Sequence, residues 1–198
     1  MILIEEIYKW NGALAPRTLD TDYIILHHAA AVECTAQDIH RWHVAQGWVG
    51  IGYHYFVAKV GKVYRGRPYD TVGAHCTNYN NKSIGICCEG NFAIEAMPDA
   101  QKRALSELCR DVQNHYPKAK IVGHRDCTPT ACPGAYFPLA EMQAAVLPAE
   151  PIVSVWAEDA WAKAAPYPMR GVLDGTNPQG PVTREMLAVV LDRLGLLK

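Results

Sequence analysis

The chain lacks an excess of charge of either sign. Its 19 lysines and arginines stand against 20 aspartates and glutamates, a formal net charge of −1. No global field steers such a molecule toward nucleic acid or an anionic membrane, so recognition must be local and no nucleic-acid partner is expected. A long apolar run is also missing at the start. "MILIEEIYKWNGALAPR" places Glu5 and Glu6 where a signal peptide or membrane span needs uninterrupted apolar residues. Cytoplasmic synthesis without a signal peptide, and no membrane partner, are therefore expected. There is no internal repeat and no low-complexity tract, which excludes a repeat array. Complete disulfide pairing is excluded too. Seven cysteines, at 34, 76, 87, 88, 109, 127 and 132, cannot all pair within one chain, and with no export signal most should be reduced thiols.

What is present is a globular composition. With 198 residues, 49% of them hydrophobic, the chain can bury one good core and support a small second module. "DYIILHHA" (22–29) reads as a strand buried on both faces that delivers His27 and His28 at its end. In "TAQDIHRWHVAQGW" (35–48), Thr35 is a helix cap, Ile39, Trp42 and His43 recur at helical spacing, and Gly47 is a stop. "YHYFVAKVGKVYRG" (53–66) is two strand-like runs about a turn at Gly61. "KSIGICCEGN" (82–91) reads as another buried strand, "DAQKRALSELCRDVQNHY" (99–116) as an amphipathic helix, and "AKIVGH" (119–124) as a last short strand. The helix's apolar face carries Ala104, Leu105, Leu108, Cys109 and Val112. The pattern predicts an α/β fold, a central mixed β-sheet flanked by helices, over residues 1–146. Two prolines in "LPAEPIVSV" mark a linker at 147–154. Residues 155–198 form a small helical module, its last helix capped by Thr183 with a Leu187, Val190, Leu191, Leu194 stripe.

"VGHRDCTPTACPG" (122–134) concentrates the chemistry. It sets His124, Cys127 and Cys132 in a stretch whose prolines forbid regular structure. His27 and His124 meet if their strands are neighbours, and a cysteine from the bent loop then completes a His, His, Cys set with an open fourth position for water. Spacing does not choose between Cys127 and Cys132. Hydrogen-bonded surface histidines are the bland alternative, and a zinc staple closed by Cys127 or His28 is another.

Taken in order, "YIILHHA", "WHVAQGWVGIGYHYFVAKVGKVYRGRP", "VGAHCTNYNNKSIGICCEGNF" and "GHRDCTPTACPG" resemble successive blocks of the zinc-dependent N-acetylmuramoyl-L-alanine amidases, the group holding phage endolysins and peptidoglycan recognition proteins. The resemblance implies that His27, His124 and Cys132 bind zinc, with His28 and Cys127 as neighbours that pack or orient. It implies a catalytic role for Tyr53. Thr130 stands where some phage members carry lysine, and its hydroxyl is a candidate donor to the developing oxyanion. His75 is expected near the substrate groove. Trp42, Trp48 and the stretch Asn78 to Asn81 are groove candidates for glycan or stem peptide, with core packing the favoured role of both tryptophans. Cys87 occupies the place of a glutamate found in recycling-type amidases. Glu89 is either near the site or a strand-end carboxylate. The implied reaction is zinc-dependent hydrolysis of the amide between N-acetylmuramic acid and L-alanine, by an enzyme made in the cytoplasm and released to the wall. A non-catalytic peptidoglycan binder on the same fold is the alternative.

"WAEDAWAKA" through "TREMLAVVLDRL" is similar to a single S-layer homology unit. That likeness implies a wall polymer, or a second copy of the chain, as the partner of the C-terminal module. Asp174 and Asn177 lack the ligand spacing of a calcium loop and read as a turn.

Overall fold

The computed structural model describes residues 2–145, so the expected linker 147–154 and module 155–198 lie outside the described residues. Internal contacts divide the chain into Met1–Leu147 and Pro148–Lys198. Six strands form one sheet: β1 (Ile2–Glu5), β2 (Tyr23–His28), β3 (Tyr55–Val57), β4 (Lys62–Arg65), β5 (Ser83–Cys88) and β6 (Lys120–Gly123). Their spatial order is β1-β4-β3-β5-β2-β6. Only β3 and β4, the hairpin turning at Gly61, pair antiparallel; every other neighbouring pair is parallel. Among the described residues, three α-helices accompany the sheet: α1 (Ala36–Ala45), α2 (Asp99–His115) and α3 (Leu139–Ala145). This is the mixed sheet flanked by helices that the periodicity predicts.

Alternation along the strands divides the core in two. Ile24 and Leu26 of β2, Ile84, Ile86 and Cys88 of β5, and Tyr55 and Val57 of β3 face α2 and α3, where Leu105, Leu108, Cys109, Val112 and Met142 meet them. The opposite face packs Phe56 and Cys87 against α1 through Ala36 and Ile39. α1 starts where its sequence says it should: Thr35 Oγ1 accepts from Asp38 N at 3.1 Å, and Asp38 Oδ2 accepts from Thr35 N at 2.8 Å.

Two elements go beyond the sequence reading. β1 is a short edge strand interrupted by charge, and α3 is only seven residues long. Core packing of the tryptophans is overturned: Trp42 is 43% and Trp48 39% exposed. Trp42 has the helical spacing of the buried Ile39, but the stripe covered by the sheet is narrower than the apolar run.

Candidate metal centre

Parallel pairing of β2 with β6 sets Leu26 opposite Gly123. The next residues, His27 and His124, are therefore neighbours at the C-terminal ends of adjacent strands, with ring centroids 4.5 Å apart. Open α/β sheets place ligands at such strand ends. From His124 the chain makes one tight turn, His124–Asp126, and doubles back. Asp126 Oδ2 accepts from Gly123 N at 2.7 Å, Arg125 N donates to Cys132 O at 2.8 Å, and Arg125 Nη1 donates to Gly134 O at 3.2 Å. The return also needs Gly134, whose φ is +100° and whose hypothetical Cβ would lie 2.4 Å from the Phe92 carbonyl carbon. These latches bring Cys132 Sγ to 3.8 Å from His27 Nδ1.

One ligand atom from each of His27, His124 and Cys132 lies within 4.8 Å of the others. A tetrahedral ion bonded at about 2.1 Å to nitrogen and 2.3 Å to sulfur leaves those two atoms about 3.6 Å apart, close to the observed separation. The residues fit a metal. Burial, reinforced by His124 and His28, holds the His27 pKa well below the usual histidine range, so the ring is neutral as a ligand must be. Burial also lowers His124. The Cys132 thiol is pushed up to about 11 by burial, against the His28 backbone N–H and Arg125, which favour the thiolate. A cation entering here displaces a proton from sulfur.

Behind His27 runs a chain of hydrogen bonds that fixes its tautomer. His27 Nε2 is 3.0 Å from His75 Nδ1, His75 Nε2 is 3.4 Å from Ser83 Oγ, and Ser83 Oγ donates to Tyr79 O at 2.8 Å. Ser83 Oγ gives its proton to a carbonyl, so it accepts from His75 Nε2. His75 Nδ1 then accepts from His27 Nε2, and His27 Nδ1 is left with a lone pair facing Cys132. Such an outer partner orients a ligand and raises its basicity. His75 is only 8% exposed and lies under His27 rather than along an open groove. It fits there because Gly73 and Gly85 make room: a Cβ at either would sit 2.5 or 2.4 Å from His75 Cδ2. An isolated glycine inside the apolar strand "SIGICC" is the sequence signal for this close approach.

The other expected residues are distributed around the centre. Tyr53 is half-buried with its ring centroid 5.1 Å from that of His27. Burial, then the neighbouring Cys87 and Cys132, hold its pKa well above the usual tyrosine value, so it stays a proton donor at neutral pH. Thr130 is exposed, and its Oγ1 accepts from Cys132 N at 3.3 Å, leaving its own proton free to be donated. Trp48 packs against His43 at 4.5 Å between ring centroids, and His43 lies 5.7 Å from Tyr53. Asn78 is exposed, with a left-handed φ of +68°. It is Asn80 that holds the loop, Oδ1 accepting from His75 N and Cys76 N at 2.8 and 2.9 Å. Glu89 is the strand-end carboxylate: its oxygens accept from Lys59 N at 2.8 Å and Cys34 N at 3.4 Å. No fourth protein ligand joins the three among the described residues. His28 Nδ1 accepts from Phe92 N at 3.1 Å, and Cys127 is half-buried. All seven cysteines are free thiols.

Residues 17–135, more than half of the chain, match the family model described as N-acetylmuramoyl-L-alanine amidase. The chain belongs to this amidase family. A curated relative, the endolysin of Enterobacteria phage K11, is 34% identical over 122 residues, covering 58% of this chain and 81% of its own. Peptidoglycan-recognition protein SC2 of Drosophila melanogaster is 35% identical over 145 residues, covering 64% and 77%. Among solved structures, N-acetylmuramoyl-L-alanine amidase LysC from Clostridium intestinale URNW superposes with a TM-score of 0.69 at 37% identity, over 72% of this amidase-family chain and 95% of that one. The Ph2119 endolysin of a Thermus scotoductus bacteriophage gives 0.66 at 29% identity, over 73% and 98%.

Proposed function

We propose that this amidase-family chain is a zinc-dependent endolysin of phage type, hydrolysing the amide between N-acetylmuramic acid and L-alanine in bacterial peptidoglycan. One observation carries the reading: three neutral or thiol ligand atoms, from His27, His124 and Cys132, converge at the ends of two parallel strands with no fourth protein ligand among the described residues. Zinc held there supplies Lewis-acid polarisation of a carbonyl and a water acidified to a pKa of about 7.

The chain's own groups do the rest. His75 keeps the His27 Nδ1 lone pair aimed at the site. Tyr53, held protonated by burial, donates toward the oxygen on which negative charge develops, and Thr130 has a free proton for the same task. The half-exposed Trp48 and the exposed Asn78 offer an apolar face and an amide for glycan or stem peptide. Residues 155–198 are assigned to a wall polymer or a second copy of the chain, and the enzyme acts on the wall after release from the cytoplasm. Relatedness to peptidoglycan-recognition proteins also fits a binder, but binding alone has no use for a complete ligand set beside a protonated tyrosine.

The test is to incubate purified peptidoglycan with zinc-loaded protein, chelated protein, Cys132→Ala and Tyr53→Phe, and to quantify new alanine amino termini. Zinc-loaded wild type should release them and chelated protein and Cys132→Ala should stay at background. Tyr53→Phe should slow release by roughly 10²–10³-fold, the loss typical of an oxyanion donor. No release by zinc-loaded wild type overturns the amidase reading, and release that survives metal removal overturns the zinc dependence.

A further inference from the structure

A cavity of about 370 Å³ lies at the N-terminal ends of β2 and β6, lined by the segment that leads into Tyr23 and the one that leads into Lys120. The two strands are parallel, so His27 and His124 close them at one end and this cavity sits at the other, about 16 Å away along β2 at roughly 3.3 Å per residue. Ligand cavities run from roughly 300 to 1,000 Å³, which makes this one large enough for a small molecule. Its wall carries charges of both signs: Arg17 and Lys118 are the cations, Asp20 and Asp22 the carboxylates. None is paired with another, since the ion pairs among the described residues are Arg41–Asp38, Lys59–Glu95, Arg65–Glu5 and Lys102–Glu141. Local bonds hold them apart. Arg17 Nη1 donates to Ser83 O at 3.1 Å and Nη2 to the Tyr116 hydroxyl at 3.2 Å, with the guanidinium carbon 5.4 Å from the Tyr116 ring centre. Asp22 is fixed through its main chain, N donating to Lys82 O at 2.9 Å and O accepting from Lys120 N at 2.8 Å. Thr21, 8% exposed, stands in the same wall with its hydroxyl left without a hydrogen-bond partner. The exposed Leu19 and the half-buried Tyr116 add apolar surface.

We propose that this cavity is a second binding site, for a zwitterion of the amino-acid or short-peptide class. A simple anion would meet Asp20 and Asp22 as well as the cations, and a simple cation would meet Arg17 and Lys118. A molecule carrying both an ammonium and a carboxylate answers both pairs at once. Its carboxylate lies against Arg17 and Lys118, where the guanidinium, already held in plane by Ser83 and Tyr116, has further N–H groups to donate. Its ammonium lies against Asp20 and Asp22, and a side chain rests on Leu19 and Tyr116. Hydrolysis of an N-acetylmuramoyl-L-alanine amide uncovers an ammonium on a peptide, so the cavity suits the class of molecule that reaction releases. That link rests on the proposed function, whereas the binding itself does not.

The decisive experiment titrates zinc-loaded full-length chain by calorimetry with the dipeptide alanyl-leucine, its N-acetylated form, its carboxyl amide, and free alanine. The dipeptide should bind one per chain, and acetylation or amidation should each weaken it about tenfold or more, since each leaves one pair of charges unanswered. Tighter binding of the dipeptide than of alanine assigns a peptide to the cavity, and equal binding assigns an amino acid; both uphold a zwitterion site. Lys118→Gln and Asp20→Asn, at exposed positions, should each weaken binding several-fold and Arg17→Gln about tenfold, with zinc affinity unchanged. Cys132→Ala should bind the dipeptide as wild type does. No binding at millimolar dipeptide, undiminished binding of the acetylated form, or affinity that all three cavity variants leave unchanged overturns the proposal. Binding that disappears in Cys132→Ala places the peptide at the metal centre and overturns it too. Dipeptide binding by a chain that releases no alanine amino termini from peptidoglycan upholds the site and counts only against the amidase reading.

Discussion

The two faces of the central sheet are built from the same strands and do opposite work. Facing α2, Ile24, Leu26, Ile84, Ile86 and Leu105 are wholly buried and carry no polar side-chain atom. Facing the other way, one residue out of step, are His27, Gly85 and Cys87, with His75 and Tyr53 laid over them. A one-residue slip in register would exchange the two sets, so the apolar face holds the chemistry in place by fixing the register. The difference teaches that stability and activity should be separable by face. A large residue lost from the α2 side costs folding free energy, whereas a group lost from the site side costs metal or rate.

The largest expected effect tests the packed face. Leu105→Ala should lower unfolding free energy by about 2–5 kcal/mol in a urea titration, with zinc affinity of the folded protein unchanged. A comparable loss of zinc affinity would mean the faces are coupled.

On the opposite face, His75→Asn should weaken zinc binding about 10–100-fold in competition with a chromogenic chelator. Unchanged affinity would show that His27 needs no partner on Nε2.

The third effect concerns acid. His54 is fully buried: its Nδ1 accepts from Gly85 N at 3.0 Å, its Nε2 donates to Thr71 O at 3.1 Å, and burial holds its pKa down to about 3. The unfolded chain protonates this group near pH 6.5 and the folded chain does not. Its contribution is thus complete above 6.5 and lost as pH falls from there toward 3. For metal-free protein, stability should fall by about 1.4 kcal/mol per pH unit for each such histidine, and His54→Asn should flatten the slope measured between pH 6 and 4. The smallest effect is at the start of α1, where Thr35→Ala should cost about 1 kcal/mol of stability and leave zinc binding intact.

The fold was legible wherever burial dictated composition. "YIILHH" and "SIGICC" lie in the sheet's interior and read as apolar runs, and α2 shows its stripe because one side meets the sheet and the other water. β1 did not show, because an edge strand has one neighbour and tolerates Glu5 on its exposed side. α3 is too short for a helical period to develop. Within the site, His27, His124 and Cys132 could be singled out by resemblance, but His75 was misplaced to a groove. Its position depends on the space left by Gly73 and Gly85, and a missing side chain announces room without saying what fills it. Arg125 and Asp126 were likewise legible only as neighbours of His124, since their partners are backbone atoms that loop closure alone brings near.

The central claim is an open site of two histidines and one cysteine at the strand ends. X-ray absorption on zinc-loaded protein tests it most directly. The account predicts one equivalent of zinc with a single sulfur at about 2.3 Å and three nitrogen or oxygen neighbours at about 2.0–2.1 Å, the sulfur lost in Cys132→Ala and kept in Cys127→Ser. Two sulfurs in the wild-type spectrum, or no bound zinc, would contradict it.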